Sequence, residues 1–161
     1  MLLEKIAKLL TEKNLTITTA ESCTGGLIAS RLTDISGSSM YLNQSFVTYS
    51  NAAKIKYLKV SPETLKKHSA VSSETVSEMA KGILEVTDAD IALAISGLAG
   101  PNSDESGKPV GLVYVCIANK SDLLVKEYQC QALERKEMKK HFAELALDLL
   151  YEFLIKNYKS L

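Results

Sequence analysis

The chain has 161 residues, 46% hydrophobic and 24% charged, enough for one domain that buries roughly 70% of its unfolded surface. Nineteen basic and nineteen acidic side chains cancel to a formal net charge of +0, which argues against direct nucleic-acid binding. No apolar run reaches the roughly 18–20 residues that cross a bilayer, and the amphipathic start at residues 1–6 lacks a signal peptide's basic region and long apolar core. Three widely spaced cysteines, Cys23, Cys116 and Cys130, fit free thiols in a reducing cytoplasm. The only histidines are His68 and His141, and no Cys or His stands at metal-ligand spacing, so neither a metal nor another cofactor is expected.

The elements follow in chain order. Residues 2–13 place Leu2, Leu3, Ile6, Leu9 and Leu10 on one helical face. Residues 15–19 alternate and are β-branched, so they read as a strand. A tight turn, Ala20-Glu21-Ser22-Cys23-Thr24-Gly25-Gly26, leads into a helix over about 24–32. Strand, small-residue turn and glycine-led helix is a layout that holds ligands at the carboxyl end of a sheet. Read locally, it is first of all a capped junction, with Ser22 or Thr24 as the helix cap. A second strand is expected over 45–49, then a short helix capped by Asn51, and a further helix starting at Ser61-Pro62. Ser72 is expected to cap a helix over 73–86 whose inner face holds Val76, Met79, Ala80, Ile83 and Leu84. Residues 91–95 are continuously apolar, as a strand covered on both faces requires. Strands over 110–118 and 122–130 form a hairpin, and a last helix covers 133–157. This order predicts a single α/β domain over 1–161, a three-layer α/β/α sandwich with a mixed β-sheet.

Three places carry chemistry. Ser22, Cys23 and Thr24 lie in the first turn, and no histidine stands near Cys23 in sequence to lower its pKa. Lys54 falls in the first turn of the short helix, where the helix field and burial both push a lysine's pKa down. A lysine tuned that way is suited to act as a general base. Tyr49 ends the preceding strand and reads either as a site residue or as a rim aromatic. Gly97-Leu98-Ala99-Gly100-Pro101 turns the chain at the end of the third apolar strand, either to meet a ligand or for its own geometry. Gly111 marks a close backbone approach, and Arg135 opens the last helix among charged neighbours.

Together these stretches resemble a known family. Thr19-Ala20-Glu21-Ser22-Cys23-Thr24-Gly25-Gly26, Gly37-Ser38-Ser39, Val47-Thr48-Tyr49-Ser50-Asn51 with Lys54, residues 68–72, Ser96-Gly97-Leu98-Ala99-Gly100-Pro101 and Lys108-Pro109-Val110-Gly111 fall in the order seen in the CinA C-terminal domain. That family includes the competence/damage-inducible protein and stand-alone nicotinamide mononucleotide deamidases (PncC). The resemblance implies an amidohydrolase of pyridine nucleotide salvage that converts nicotinamide mononucleotide to nicotinic acid mononucleotide and ammonia. It assigns Ser22 as nucleophile, with Lys54 and Tyr49 as acid-base partners and no metal. Thr24, Gly25, Gly26, Ser38, Asn51, Gly97, Ala99, Gly100 and Arg135 are the substrate-binding candidates. Small α/β enzymes of this kind are expected to form symmetric homo-oligomers.

The chain departs from the family pattern at three places. Ser69 stands where glycine usually follows the histidine, residues 102–107 lack the usual glycine pair, and Leu133-Glu134 replace Gly-Asp before Arg135. These changes define an alternative: a catalytically weak or inactive nucleotide-binding or regulatory module linked to competence or the DNA-damage response.

Overall fold

A computed structural model describes residues 1–159. Its five strands are β1 (Ile17–Glu21), β2 (Phe46–Val47), β3 (Ile91–Gly97), β4 (Leu112–Ala118) and β5 (Leu123–Gln129). They form one mixed sheet in the order β2-β1-β3-β4-β5. β1 runs parallel to β2 and β3, while β3, β4 and β5 pair antiparallel. The helices are α1 (Leu2–Glu12), α2 (Leu27–Leu32), α3 (Asn51–Leu58), α4 (Pro62–His68), α5 (Ser73–Thr87) and α6 (Arg135–Tyr158).

The strand pleat sorts side chains by size. Ile91, Leu93 and Ile95 of β3, with Val113, Val115 and Ile117 of β4, pack against α1, α2 and α6 through Ile6, Leu10, Ile28, Phe142 and Phe153. The opposite face presents Ala20, Ala92, Ala94, Cys116 and Ala118 to Val76, Met79, Ala80 and Ile83 of α5. Helices cover both faces, which makes the expected three-layer α/β/α sandwich. Small residues let α5 lie close to the sheet, and Gly82 lets α3 lie close to α5. A Cβ at Gly82 would stand 1.7 Å from the Leu58 carbonyl oxygen.

Several boundaries move. β1 begins and ends two residues later than the alternation suggested, because residues 20 and 21 also sit between covered faces. α2 starts at Leu27, not at residue 24. Gly25 and Gly26 take φ +61 and +99, a left-handed turn that cannot continue a helix. β2 keeps only two of five expected residues, since it is an edge strand paired on one side. Ser50 rather than Asn51 caps α3, its side chain accepting from the Ala53 amide. Ser61 and Ser72 cap α4 and α5 as expected. β3 runs on to Gly97, β4 and β5 shorten by one or two residues, and α6 begins at Arg135. Gly111, at φ +94, is a close approach as expected: a Cβ there would meet the Cys130 carbonyl oxygen at 2.3 Å.

Parallel pairing brings three turns to one edge of the sheet. The carboxyl ends of β1, β2 and β3 open onto residues 22–26, 48–50 and 98–101, and open α/β sheets bind ligands at that edge.

Candidate active site

A cleft of about 240 Å³ lies at this edge, lined by Ser22, Cys23, Tyr49, Lys54, the turn 96–100, Arg135 and residues 102–104. Lys54 is its most unusual member. This lysine is 1% exposed, and burial pushes its pKa down from 10.5 to about 8. Its Nζ donates to the Thr48 carbonyl at 2.8 Å, the Tyr49 carbonyl at 3.1 Å and Ser22 Oγ at 3.0 Å. The protonated amine therefore has an acceptor for each N–H. In the neutral amine the two carbonyls keep the two remaining protons, and the lone pair faces the Ser22 hydroxyl. That is the geometry of a general base on a nucleophile.

The sequence argument for Lys54 relied on the helix field as well as burial. With Ser50 as cap, Lys54 is one residue further into α3 than expected, and burial is the leading cause of its shift.

Cys23 lines the same cleft, but burial pushes its thiol up to about 12, against smaller opposing contributions from the backbone N–H groups of Cys23 and Gly97. A thiol held neutral in this way is a poor nucleophile at neutral pH.

Tyr49 reaches Lys54 through its backbone carbonyl, not its ring. Its hydroxyl accepts from Arg135 Nη2 at 2.8 Å, and Arg135 Nη1 donates to the Gly100 carbonyl at 2.5 Å. Arg135, locally indistinguishable from a solvated helix start, is thus fastened across the cleft mouth. The Ala99 and Gly100 amides, in the turn that lines the cleft, donate to no protein acceptor among the described residues.

Other candidates lie apart. Thr24, Gly25 and Gly26 border an adjoining cleft with Lys136, Lys139 and Lys140. Asn51 faces a third cleft with Lys66, Ser69 and Glu105. Ser38 sits on the 3-10 turn Ser38–Met40, on none of these walls. Ala70 and Asp104 are common to the Asn51 cleft and the Ser22 cleft.

Two residues that shape the site had no signal as site residues. Glu21 is completely buried and accepts four hydrogen bonds at the Ser22 turn. Nothing in its place at the end of the strand Ile17–Glu21 pointed to those partners. Lys108 donates to the His68 carbonyl, Ser69 Oγ and the Val71 carbonyl at 2.7, 3.1 and 2.6 Å, tying loop 102–107 down as a cleft wall. Ser69 takes φ 68 and ψ 175, a conformation close to glycine-only. Ser69 thus holds a backbone conformation that favours glycine, and its hydroxyl accepts from Lys108.

A larger groove of about 590 Å³ between β5 and α6 holds Cys130 and His141. Burial raises the Cys130 thiol, so the groove holds no activated nucleophile comparable to Ser22 with Lys54.

The family model for the CinA C-terminal domain matches residues 1–154. The chain belongs to the CinA C-terminal domain family. It is 50% identical over 154 residues to a CinA-like protein of Chloroherpeton thalassium, covering 94% of this chain and 37% of that protein. A CinA-like protein of Shewanella pealeana is 45% identical over 154 residues, covering 96% of this chain and 36% of that protein. The chain thus spans little more than a third of the curated relatives it matches. Solved structures are similar over nearly their whole length. Competence damage-inducible protein A from Klebsiella pneumoniae has TM-score 0.93 and 37% identity, covering 98% of this chain and 97% of that one. Competence/damage inducible protein CihA from Agrobacterium tumefaciens has TM-score 0.90 and 40% identity, covering 94% and 92%.

Proposed function

We propose that this chain is a serine amidohydrolase that removes the carboxamide nitrogen of nicotinamide mononucleotide, giving nicotinic acid mononucleotide and ammonia. The observation that carries the reading is the buried Lys54 Nζ, held by two carbonyls and 3.0 Å from Ser22 Oγ. Membership of the CinA C-terminal domain family agrees with it.

In this reaction Ser22 Oγ bonds to the amide carbon while its proton passes to Lys54 Nζ. The carbonyl oxygen becomes an oxyanion, for which the Ala99 and Gly100 amides on the cleft wall are candidate donors. A single such donor contributes about 3–4 kcal/mol in comparable sites. Lys54 then protonates the leaving nitrogen, the carbon–nitrogen bond breaks, and ammonia departs. Water, losing its proton to Lys54, attacks the acyl ester. Lys54 returns that proton to Ser22 Oγ as the acyl carbon–Oγ bond breaks, which frees nicotinic acid mononucleotide. Arg135 binds the 5′-phosphate through the guanidinium protons that Tyr49 and Gly100 do not use. Tyr49 orients Arg135 in this scheme, in place of the acid-base role the family resemblance implied for it.

The test is direct. Purified protein incubated with nicotinamide mononucleotide releases ammonia, and Ser22→Ala reduces turnover at least 1,000-fold while Cys23→Ala keeps it. Ammonia release by Ser22→Ala at the wild-type rate would overturn the assignment.

A further inference from the structure

Glu21 is the last residue of β1 and the immediate neighbour of Ser22. It has no exposed surface, so it touches no substrate. Burying a carboxylate is costly unless its oxygens are fully bonded, and here four donors converge on them. Oε1 accepts from Thr24 Oγ1 at 2.6 Å and the Ile28 amide at 2.9 Å. Oε2 accepts from the Ala29 amide at 2.9 Å and Thr19 Oγ1 at 3.2 Å. One side chain thus joins the strand before the Ser22 turn, the turn itself and the helix after it. The Gly26 cap of α2 has no side chain to satisfy these amides, and Glu21 does so from the strand. Its main chain works on the other half of the site: the Glu21 carbonyl accepts from the Thr48 amide at 2.9 Å, and the Thr48 carbonyl holds Lys54.

We infer that Glu21 is a positioning residue for the reaction: its carboxylate fixes the turn that aims Ser22 Oγ at Lys54. A carboxylate is required, and its amide cannot replace it. Each oxygen faces a backbone N–H, so glutamine would set its NH₂ against either Ile28 or Ala29, and a backbone amide cannot reverse its polarity. The donor left over, inside a dry site, moves the turn.

The inference rests on the proposed amidohydrolase reading, and the experiment separates the two. Full-length wild type and Glu21→Gln are compared by steady-state kinetics on nicotinamide mononucleotide across pH. They are also compared by the rate at which a fluorophosphonate labels Ser22, read by mass spectrometry. Glu21→Gln is expected to lower kcat about 100-fold, as a small misplacement of a reacting group does, with KM within about threefold. The labelling rate falls in parallel, and the rising limb of the pH profile stays where it is. Wild-type kcat and labelling in the variant overturn the inference. So does a moved pH limb with unchanged labelling, which would mean that Glu21 tunes Lys54 electrostatically. Ser22 labelling in a wild type that releases no ammonia would overturn the substrate reading, while the labelling ratio still decides the role of Glu21. Should Glu21→Gln fail to fold, Thr19→Val removes one of the four donors at nearly constant shape. A smaller parallel loss of kcat and labelling supports the inference, and wild-type rates in that variant overturn it.

Discussion

Lys54 holds its chemistry through burial. Its lowered pKa gives the first prediction. A general base acts in its neutral form, and Lys54 loses its proton as pH rises through about 8. Activity should therefore climb with pH along a limb centred near 8, measured as kcat/KM on the free enzyme. Lys54→Arg, charged at all accessible pH, should lose the activity along with the limb. The same shift has a signature in stability. Between about pH 8 and 10.5 the unfolded chain holds a proton on Lys54 that the folded one has lost, so this group makes folding more favourable as pH rises through that window. Cys23 acts the other way above its ordinary value of 9.0, because the folded state keeps its proton up to about 12. At the opposite end of the cleft, Arg135 is the cation placed for a phosphate. Arg135→Met should raise KM for nicotinamide mononucleotide about tenfold or more. The unphosphorylated riboside should be nearly indifferent to the change, and an equal loss on both would remove Arg135 from phosphate binding.

At the scale of elements, the site depends on how closely helices approach one another. α3 carries Lys54, and α3 can lie against α5 only because position 82 has no side chain. Gly82→Ala should push the two helices apart. We expect a loss of about 1–3 kcal/mol, read by urea unfolding, and a fall in activity larger than that loss explains, since Lys54 moves with α3. The wall formed by residues 102–104 depends in turn on Lys108, whose three hydrogen bonds end on the carboxyl end of α4 and the turn after it. Lys108→Met should loosen the wall and raise KM severalfold with kcat retained. A fall in kcat at unchanged KM would place Lys108 elsewhere in the mechanism.

For the whole molecule, stability resides in the layer between the sheet and α1, α2 and α6, where Phe142 is fully buried. Phe142→Ala should cost about 3–5 kcal/mol, with the site's pH profile unchanged in the fraction that remains folded. The expected homo-oligomer is checked by light scattering after gel filtration, which would read a multiple of the protomer mass. No helix among the described residues is long and apolar enough to cross a membrane.

Much of this was legible in the chain. The apolar run at residues 91–95, the caps at Ser61 and Ser72 and the inner face of α5 are local signals, because a strand covered on both sides and a capped amphipathic helix write their periods directly into sequence. Ser22 and Lys54 were legible as residue types in motifs. Their 3.0 Å contact was not, because they lie 32 residues apart and meet only through parallel strand pairing. Glu21 and Lys108 were missed for the same reason. Each draws its meaning from partners on other elements, and no local period encodes those partners. The layers, the order of elements and the identity of the reactive groups follow from the chain alone, since propensity and hydrophobic period are properties of neighbours along it. Tertiary structure alone decided that Lys54 is buried with its three acceptors, that Cys23 is held neutral, and that Tyr49 turns its hydroxyl to Arg135. Burial and hydrogen-bond partners depend on segments distant in sequence, and they exist only once the sheet has brought those segments to one edge.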